Sequence, residues 1–227
     1  MRLTLPLAIT MLAAAMTHAN AQAPAGPVYV ATYAEVGTAS VKEGTALLKQ
    51  YRDAVRKEDG SIRAYVAQEL GRPNRFIILE IWKDQAAFDA HGKSAGTTAF
   101  RDKFKAIANA PLDERVHSGM SVSDSKAAAT KASVLVASHV DVPPPKKDDV
   151  IAALNPLAEQ SRKGDGNQRF EVWQQTSRPN HFTVVEAWKD KKAYDARGSA
   201  APQRDFRGKL GPMMGALYDE RLFRVIE

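Results

Sequence analysis

The stretch RPNRFIILEIWKD (residues 72–84) recurs at residues 178–190 as RPNHFTVVEAWKD, and this repeat indicates how the chain folds. A shift of 106 residues aligns Val28–Ser121 with Val134–Glu227 without a gap, and 33 of the 94 aligned pairs are identical. Solenoid repeats have a shorter period of roughly 20–50 residues. The chain is therefore a tandem duplication of one small domain.

A hairpin surrounds the first repeated stretch. Residues 71–74 (Gly-Arg-Pro-Asn) contain the residue types that favour tight turns. The apolar, β-prone segments on either side, Ile62–Leu70 and Phe76–Trp82, predict two strands joined by that turn. The segment Val28–Val36 predicts a strand before the hairpin, and Asp113–Val122 predicts a strand after it.

Helices are predicted between these strands. Ser40-x-x-Glu43 has the pattern of a capping box and precedes apolar residues at helical spacing. Asp84 is a good N-cap for a second helical region, which Gly92–Gly96 is expected to divide in two. In the second copy Pro156 falls within the first helix and is expected to bend or shorten it.

The order of elements predicts the fold class. A β-α-β-β-α-β order is ferredoxin-like, with helices on one face of an antiparallel sheet. The third strand has apolar residues on both faces, so neither face is expected to contact water. We predict an α+β protein of two tandem ferredoxin-like domains packed sheet to sheet, as in a dimeric α+β barrel. Residues 22–122 and 133–227 are the predicted domains, 123–132 the linker, and the expected state is a monomer.

The first 21 residues resemble a signal peptide. Arg2 supplies a positive start, Leu3–Met16 is an apolar run, and residues 19–21 (Ala-Asn-Ala) fit a cleavage site. Cleavage after Ala21 is predicted, with cleavage after Ala23 or a retained N-terminal anchor as the alternatives. After cleavage no membrane span is expected, and the predicted location is periplasmic or secreted.

Composition excludes several kinds of site. The 227 residues include no cysteine, which excludes disulfides, thiolate nucleophiles, Fe–S clusters and cysteine-bound zinc. The five histidines show no ligand spacing, so no metal site is predicted. The net charge is +6, but the basic residues are scattered singly, so nucleic acid is not an expected partner.

The order and spacing of the motifs resemble a known family. Asp-Gly at residues 59–60, the Pro-Asn-x-Phe turn, Glu-x-Trp-x-Asp at 80–84 and Ala-Phe-x-x-His at 87–91 with Ser94 are similar to the antibiotic biosynthesis monooxygenase family. The resemblance is to its quinol-monooxygenase-like branch and covers both copies. It implies a barrel of paired βαββαβ units. It also implies oxidation of a small aromatic substrate, a quinol or polycyclic phenol, by dioxygen with no cofactor.

Haem cleavage by other members of that family is a weaker third option. The resemblance to haem-cleaving relatives would imply an Asn on the first strand, a Trp near the end of the third and a His on the second helix. Trp82 and His91 match the last two, but residues 28–35 contain no Asn. In the second copy Trp188 is kept, whereas Arg197 stands at the position of His91. The first copy is therefore the better candidate for activity.

The candidate catalytic residue is His91. Glu80 and Trp82 are two apart on a strand and share a face, and His91 lies close to that strand end. An imidazole has an ordinary pKa near 6.5, which suits His91 to accept a phenolic proton. Trp82 would pack against the substrate, and the other candidate substrate-binding residues are Glu80, Tyr33, Phe88, Trp188 and Arg197.

Each candidate also has an ordinary structural interpretation. His91 could satisfy a helix end, and both tryptophans could be core residues. Glu80 could pair with Arg63 or Arg115, and Glu186 with Arg169 or Arg221, because a buried carboxylate is costly alone. The leading hypothesis is an exported, cofactor-independent monooxygenase of a quinol-like or phenolic aromatic. The alternative is a non-catalytic ligand-binding or stress-related module on the same barrel.

Overall fold

The computed structural model describes residues 26–125 and 127–227. The predicted signal segment, residues 1–21, lies outside this range. Among the residues described, no helix combines the length and the apolar character needed to cross a membrane.

The two repeats fold into the same series of strands and helices. The first comprises β1 (Val28–Glu35), α1 (Val41–Val55), β2 (Ser61–Glu69), β3 (Arg75–Trp82), α2 (Gln85–Gly92), α3 (Ala95–Ile107) and β4 (Asp113–Ser121). The second comprises β5 (Val134–Asp141), α4 (Lys147–Ser161), β6 (Asn167–Gln175), β7 (His181–Trp188), α5 (Lys191–Ser199), α6 (Ala201–Leu210) and β8 (Asp219–Val225).

The eight strands form one closed barrel in the order β1-β3-β2-β8-β5-β7-β6-β4. Every neighbouring pair is antiparallel. The pairs β2–β8 and β4–β6 join the two repeats, so each repeat supplies half of the barrel. The predicted fold class, two ferredoxin-like units forming an intramolecular α+β barrel, is confirmed.

The strand β3 is buried on both faces. Ile77 and Leu79 of β3 point into the barrel, where they join Leu135 and Phe223 of the second repeat. Phe76 and Ile78 alternate with them and point outward. They pack against α1 and α3, in a cluster that includes Leu48, Phe100 and Phe104. This arrangement confirms that neither face of the third strand is left to solvent.

The helices differ from the expectations at two positions. Ser40 makes no capping hydrogen bond, because a 3-10 turn over Thr38–Ser40 already leads into α1 and takes Ser40 out of the extended geometry that an N-cap uses. Pro156 does not shorten α4, which has 15 residues, as α1 does. The inner face of α4 is held in the core by Leu154 and Leu157, while Pro156 lies on the exposed face.

The helices after each hairpin begin as predicted but differ at one cap. Asp84 accepts a hydrogen bond from the backbone N–H of Ala87 at 2.8 Å. The helical region divides between Gly92 and Ala95, and Ser94 then caps α3. At the corresponding N-cap of α6, Ala200 has no side-chain acceptor to offer.

Candidate functional site

In the first repeat His91 lies at the centre of a hydrogen-bonded cluster. It is on α2 and only 3% exposed. Its Nδ1 lies 2.9 Å from a carboxylate oxygen of Glu58, and its Nε2 lies 2.9 Å from the hydroxyl of Tyr51. A neutral imidazole with its proton on Nδ1 satisfies both contacts, since it donates to Glu58 and accepts from Tyr51.

The structure brings four of the candidate residues together here. The ring of Trp82 stacks on the ring of His91 at a centroid distance of 4.5 Å. The ring centroid of Phe88 lies 6.5 Å from that of His91. Trp82 donates its indole N–H to Glu80 at 3.2 Å, and the other carboxylate oxygen of Glu80 has no partner. Burial raises the pKa of Glu80. Strand parity and helix position therefore assemble the cluster that the sequence predicts.

A side chain of the protein fills the space beside His91. Tyr51 stacks on Phe100 at 4.0 Å and points its hydroxyl at Nε2 of His91. Burial, together with the charge of Glu80, raises the pKa of Tyr51, so it remains a neutral phenol that donates its proton. Tyr51 thus occupies the position from which a phenolic substrate would donate to His91.

In the second repeat an ion-pair network replaces this cluster. Arg197 donates through two nitrogens to Glu186, and through a third nitrogen to Glu220 at 3.0 Å. Trp188 also donates to Glu186, at 2.8 Å. Burial opposes the charge of Arg197, but Glu186 outweighs burial and raises its pKa, so the guanidinium stays charged. Arg197 is thus a fixed cation held between two carboxylates.

A cavity of about 540 Å³ opens beside this network. It lies between the end of α4, the end of β7, α5 and the first turn of α6. Gly164 stands where the first repeat has Glu58, and Leu157 stands where it has Tyr51. Gly164 lines the cavity, and a Cβ atom there would lie 3.0 Å from the carbonyl oxygen of Ser161 and 3.3 Å from the ring of Trp188, so a side chain at this position requires its neighbours to shift slightly. This cavity is lined by residues of the second repeat alone, and His91 is not among them.

The cavity wall combines an indole ring, cations and an unpaired amide. Trp188 and Arg197 line it, as do Lys163 and Lys192, which form no ion pair within the described part of the chain. Gln203 also lines it and is 2% exposed, yet neither atom of its amide has a hydrogen-bond partner. Sequence reasoning missed Gln203. The repeat alignment marks the position, because Gln203 replaces Thr97, which contacts His91.

Tyr33 lies in neither cluster. It points into the barrel between the guanidinium groups of Arg115 and Arg221, which lie 5.2 and 5.1 Å from its ring centroid. Both faces of β1 are buried, so apolar alternation could not tell the barrel face from the helix face. The grouping of Tyr33 with the His91 residues is therefore corrected.

The expected ion-pair partners of Glu80 and Glu186 are also wrong. Both carboxylates face the helices, whereas all four arginines proposed as partners lie on strand positions that face the barrel interior. The observed pairs are Arg63 and Arg169 with Glu171, Arg115 with Asp113, and Arg221 with Asp219.

Comparison with known proteins agrees with this architecture. Residues 27–106 and 133–209 match the family model described as Antibiotic biosynthesis monooxygenase. "Putative monooxygenase YcnE" of Bacillus subtilis (strain 168) is 38% identical over 58 residues, a match that spans 26% of this chain and only 61% of that protein's length.

Solved structures share the whole two-repeat fold. "Putative monooxygenase (FN1347)" from Fusobacterium nucleatum superposes with a TM-score of 0.81 at 19% identity, covering 89% of this chain and 94% of that chain. An "anthrone oxidase-like protein" superposes with a TM-score of 0.68 at 12% identity, covering 90% and 92%. At these identities the similarity concerns the fold alone.

Proposed function

The chain belongs to the antibiotic biosynthesis monooxygenase family, and from that premise we propose that it oxidises a quinol-like or phenolic aromatic with dioxygen. In such a reaction one oxygen atom enters the substrate. The other leaves as water with two hydrogen atoms taken from the substrate. The substrate supplies the electrons, so the proposal includes no cofactor. Export to the periplasm or the medium is part of the proposal and rests on the pattern of residues 1–21.

The cavity of the second repeat carries this proposal. Its volume of about 540 Å³ lies within the range of small-molecule sites, roughly 300–1,000 Å³. Trp188 offers one aromatic wall, and its position is fixed by the hydrogen bond to Glu186. A planar aromatic ring therefore has both the space and the surface that it needs.

The charges around the cavity favour the reactive form of a phenol. A phenolate passes an electron to dioxygen more readily than the neutral phenol does. Lys163 and Lys192 place positive charge at the cavity, which lowers the pKa of a phenol bound there. The charge of Arg197 is offset by Glu186 and Glu220, so Arg197 acts mainly by holding Glu186 and hence Trp188 in place.

The first repeat offers a base, but none of the described cavities is lined by His91; the cavity of about 530 Å³ in that repeat lies against Phe104 and Leu112 instead. Glu58, His91 and Tyr51 form a carboxylate–imidazole–phenol series, the geometry in which an imidazole accepts a phenolic proton. A substrate reaches Nε2 of His91 only when Tyr51 moves away. His91 as the catalytic base is therefore the competing assignment, and it requires a state in which Tyr51 is displaced.

Oxygen uptake with menadiol tests which repeat acts. We expect Gly164→Glu, which fills the cavity as Glu58 fills the first repeat, to lower turnover at least tenfold. We expect His91→Ala to keep most of the wild-type turnover. Gly208→Glu is the matched control, because Gly208 is exposed and only open space surrounds the point where a side chain would begin. Loss of oxygen uptake in His91→Ala, with uptake retained in Gly164→Glu, would instead assign the active site to the first repeat.

A non-catalytic binding module is the second candidate. Two observations favour it. Both ring nitrogens of His91 already have hydrogen-bond partners, namely Tyr51, Glu58 and Thr97. The second repeat has Arg197 in place of a second histidine. If the wild-type protein consumes no oxygen with any of a panel of hydroquinones but binds them, this candidate replaces the enzyme. A hemin titration addresses haem degradation, for which we expect no Soret shift.

A further inference from the structure

We propose that the cavity of the second repeat selects aromatic acids, whose carboxylate is held by Gln203 and the first turn of α6 while Trp188 contacts the ring. This inference rests on the proposed function for the aromatic ring of the substrate. It adds the anionic group and the residues that recognise it.

The unpaired amide of Gln203 is the first observation. Both its Nε2 and its Oε1 are buried without a partner, although Gln203 lines a cavity of about 540 Å³. Buried amides in native proteins are nearly always hydrogen-bonded, because a lost bond is not replaced by water. The last torsion of a glutamine is broad, so the amide can turn toward the cavity without moving the backbone. A ligand in the cavity would supply the missing partners.

The open first turn of α6 is a second, independent observation. Ser94 caps α3 by accepting from the backbone N–H of Thr97 at 3.1 Å, but the same position before α6 is Ala200. The first backbone N–H groups of a helix have no partner within the helix. Ala200, Pro202 and Gln203 all line the cavity, so this turn borders it. Pro202 has no N–H and the N–H of Ala200 is bonded to a backbone carbonyl of α5, which leaves the N–H of Gln203 as the uncapped donor among them. That N–H and the helix dipole both favour an anion.

The surrounding charges point the same way. Lys189 is paired with Asp165 at 3.3 Å, and Asp190 is engaged as the N-cap of α5. Lys163 and Lys192 line the cavity and form no ion pair among the described residues. The wall thus carries four cations, Lys163, Lys189, Lys192 and Arg197, against two carboxylates, Asp165 and Asp190, and the balance is positive.

These groups together define a class of ligand. The amide of Gln203 has an NH₂ group that donates and a carbonyl oxygen that accepts, which suits a carboxylate next to a ring hydroxyl. The carboxylate accepts from Nε2 and from the helix turn, and the hydroxyl donates to Oε1. The fitting class is a hydroxylated aromatic acid of one to three rings.

Calorimetry on the full chain tests this with matched probes. We expect 1-hydroxy-2-naphthoate to bind at least tenfold more tightly than 1-naphthol, which has the same rings and hydroxyl but no carboxylate. The difference should shrink at high salt, because the lysines are at the cavity rim. Equal affinities for the two compounds would contradict the inference.

Variants assign the effect to the named groups. Gln203→Met keeps the length of the side chain and removes the amide, so we expect at least tenfold weaker binding of 1-hydroxy-2-naphthoate and little change for 1-naphthol. The ligand-free variant should melt at the same or a higher temperature, because the unpaired amide is gone. Gln50→Met, at an exposed position of α1, is the control for the substitution itself.

Ala200→Ser tests the helix turn independently. A serine there would cap α6 as Ser94 caps α3, and we expect it to weaken binding of the acid several-fold while raising the melting temperature. If Gln203→Met does not fold, Ala200→Ser and Lys192→Met decide the question, and unchanged affinity in both overturns the inference. Acid binding without oxygen uptake would overturn the proposed function alone. Oxidation of quinols without preference for the acid would overturn this inference alone.

Discussion

At the residue scale, one aligned position separates the chemistry of the two repeats. His91 follows β3 and faces the buried Glu80. Arg197 follows β7, the corresponding strand of the second repeat, and faces the buried Glu186. The imidazole of His91 lies within hydrogen-bond distance of the Tyr51 hydroxyl and can exchange a proton with it. The arginine cannot exchange a proton near neutral pH, so it fixes charge instead. Duplication has thus left a histidine at this position in one repeat, and an arginine beside a cavity of about 540 Å³ in the other.

Removing Arg197 should be costly. Glu186 is fully buried, and the Arg197→Met variant would leave its charge without a partner. We expect the free energy of unfolding to fall by about 3–5 kcal/mol, measured by urea denaturation. The double variant Arg197→Met/Glu186→Gln should recover part of this loss. A loss below about 1 kcal/mol in the single variant would mean that the pair contributes no more than a surface ion pair does.

Two buried histidines should make stability depend on pH. Burial lowers the pKa of His117 to about 4 and that of His139 to about 3, whereas an unfolded histidine titrates near 6.5. Below pH 6.5 the unfolded chain therefore binds protons that the folded chain does not. The free energy of unfolding should fall by up to about 1.4 kcal/mol per pH unit for each histidine as the pH drops toward 4.

Urea midpoints between pH 7 and pH 5 measure this effect. The window lies above the range in which Asp113 and Glu220, whose pKa values are lowered in the fold, lose their contribution. His117→Phe installs the residue that the second repeat has at Phe223 and should remove about half of the slope. Burial raises the pKa values of Glu80 and Glu186, whose protonation in the fold opposes this slope, so the wild-type profile is compared with that of His117→Phe. Equal slopes in the two proteins would show that His117 is not held neutral.

The sequence predicted part of the site for a clear physical reason. Residues two apart on a strand share a face, so Glu80 and Trp82 had to meet whatever the next helix placed above them, which is His91. The cavity could not be predicted in the same way. Its opening depends on Gly164 lacking a side chain, and the volume that a glycine leaves is known only once its neighbours are placed.

At the scale of elements, α4 tolerates a proline that α1 does not contain. Pro156 lacks an N–H and its ring crowds the preceding turn, so the helix persists only because its inner face is buried. Pattern and turn chemistry predicted the strands within one or two residues. Local rules failed at this proline and at Ser40, where packing and a 3-10 turn override them.

Replacing the proline should stabilise the protein. Pro156 is exposed, so Pro156→Ala removes the helix penalty without creating a core cavity. We expect the free energy of unfolding to rise by about 1–3 kcal/mol. The reverse change at the aligned position of α1, Gln50→Pro, should lower it by about 3 kcal/mol or more. If Pro156→Ala is neutral or destabilising by thermal and urea unfolding, the proline must serve the fold in some other way.

At the scale of the whole molecule, the two halves have diverged at the contact between them. Glu171 of the second repeat, buried inside the barrel, binds Arg169 of its own repeat and Arg63 of the first at 2.8 Å each. The residue of the first repeat aligned with Glu171 is Tyr65. A barrel made of two first repeats would therefore place two arginines together with no carboxylate between them.

Separate expression of the halves should reveal this asymmetry. Residues 22–124 alone expose the barrel face of a four-stranded sheet, so we expect them to aggregate or self-pair weakly in light scattering after gel filtration. Mixing with residues 125–227 should give a 1:1 complex in preference to either homodimer, because Arg63 regains Glu171. Glu171→Gln in the second half should reduce that preference at least tenfold, since breaking a buried pair leaves Arg63 and Arg169 uncompensated. If residues 22–124 form a stable homodimer that does not exchange with the second half, charge pairing at Glu171 does not determine how the halves associate.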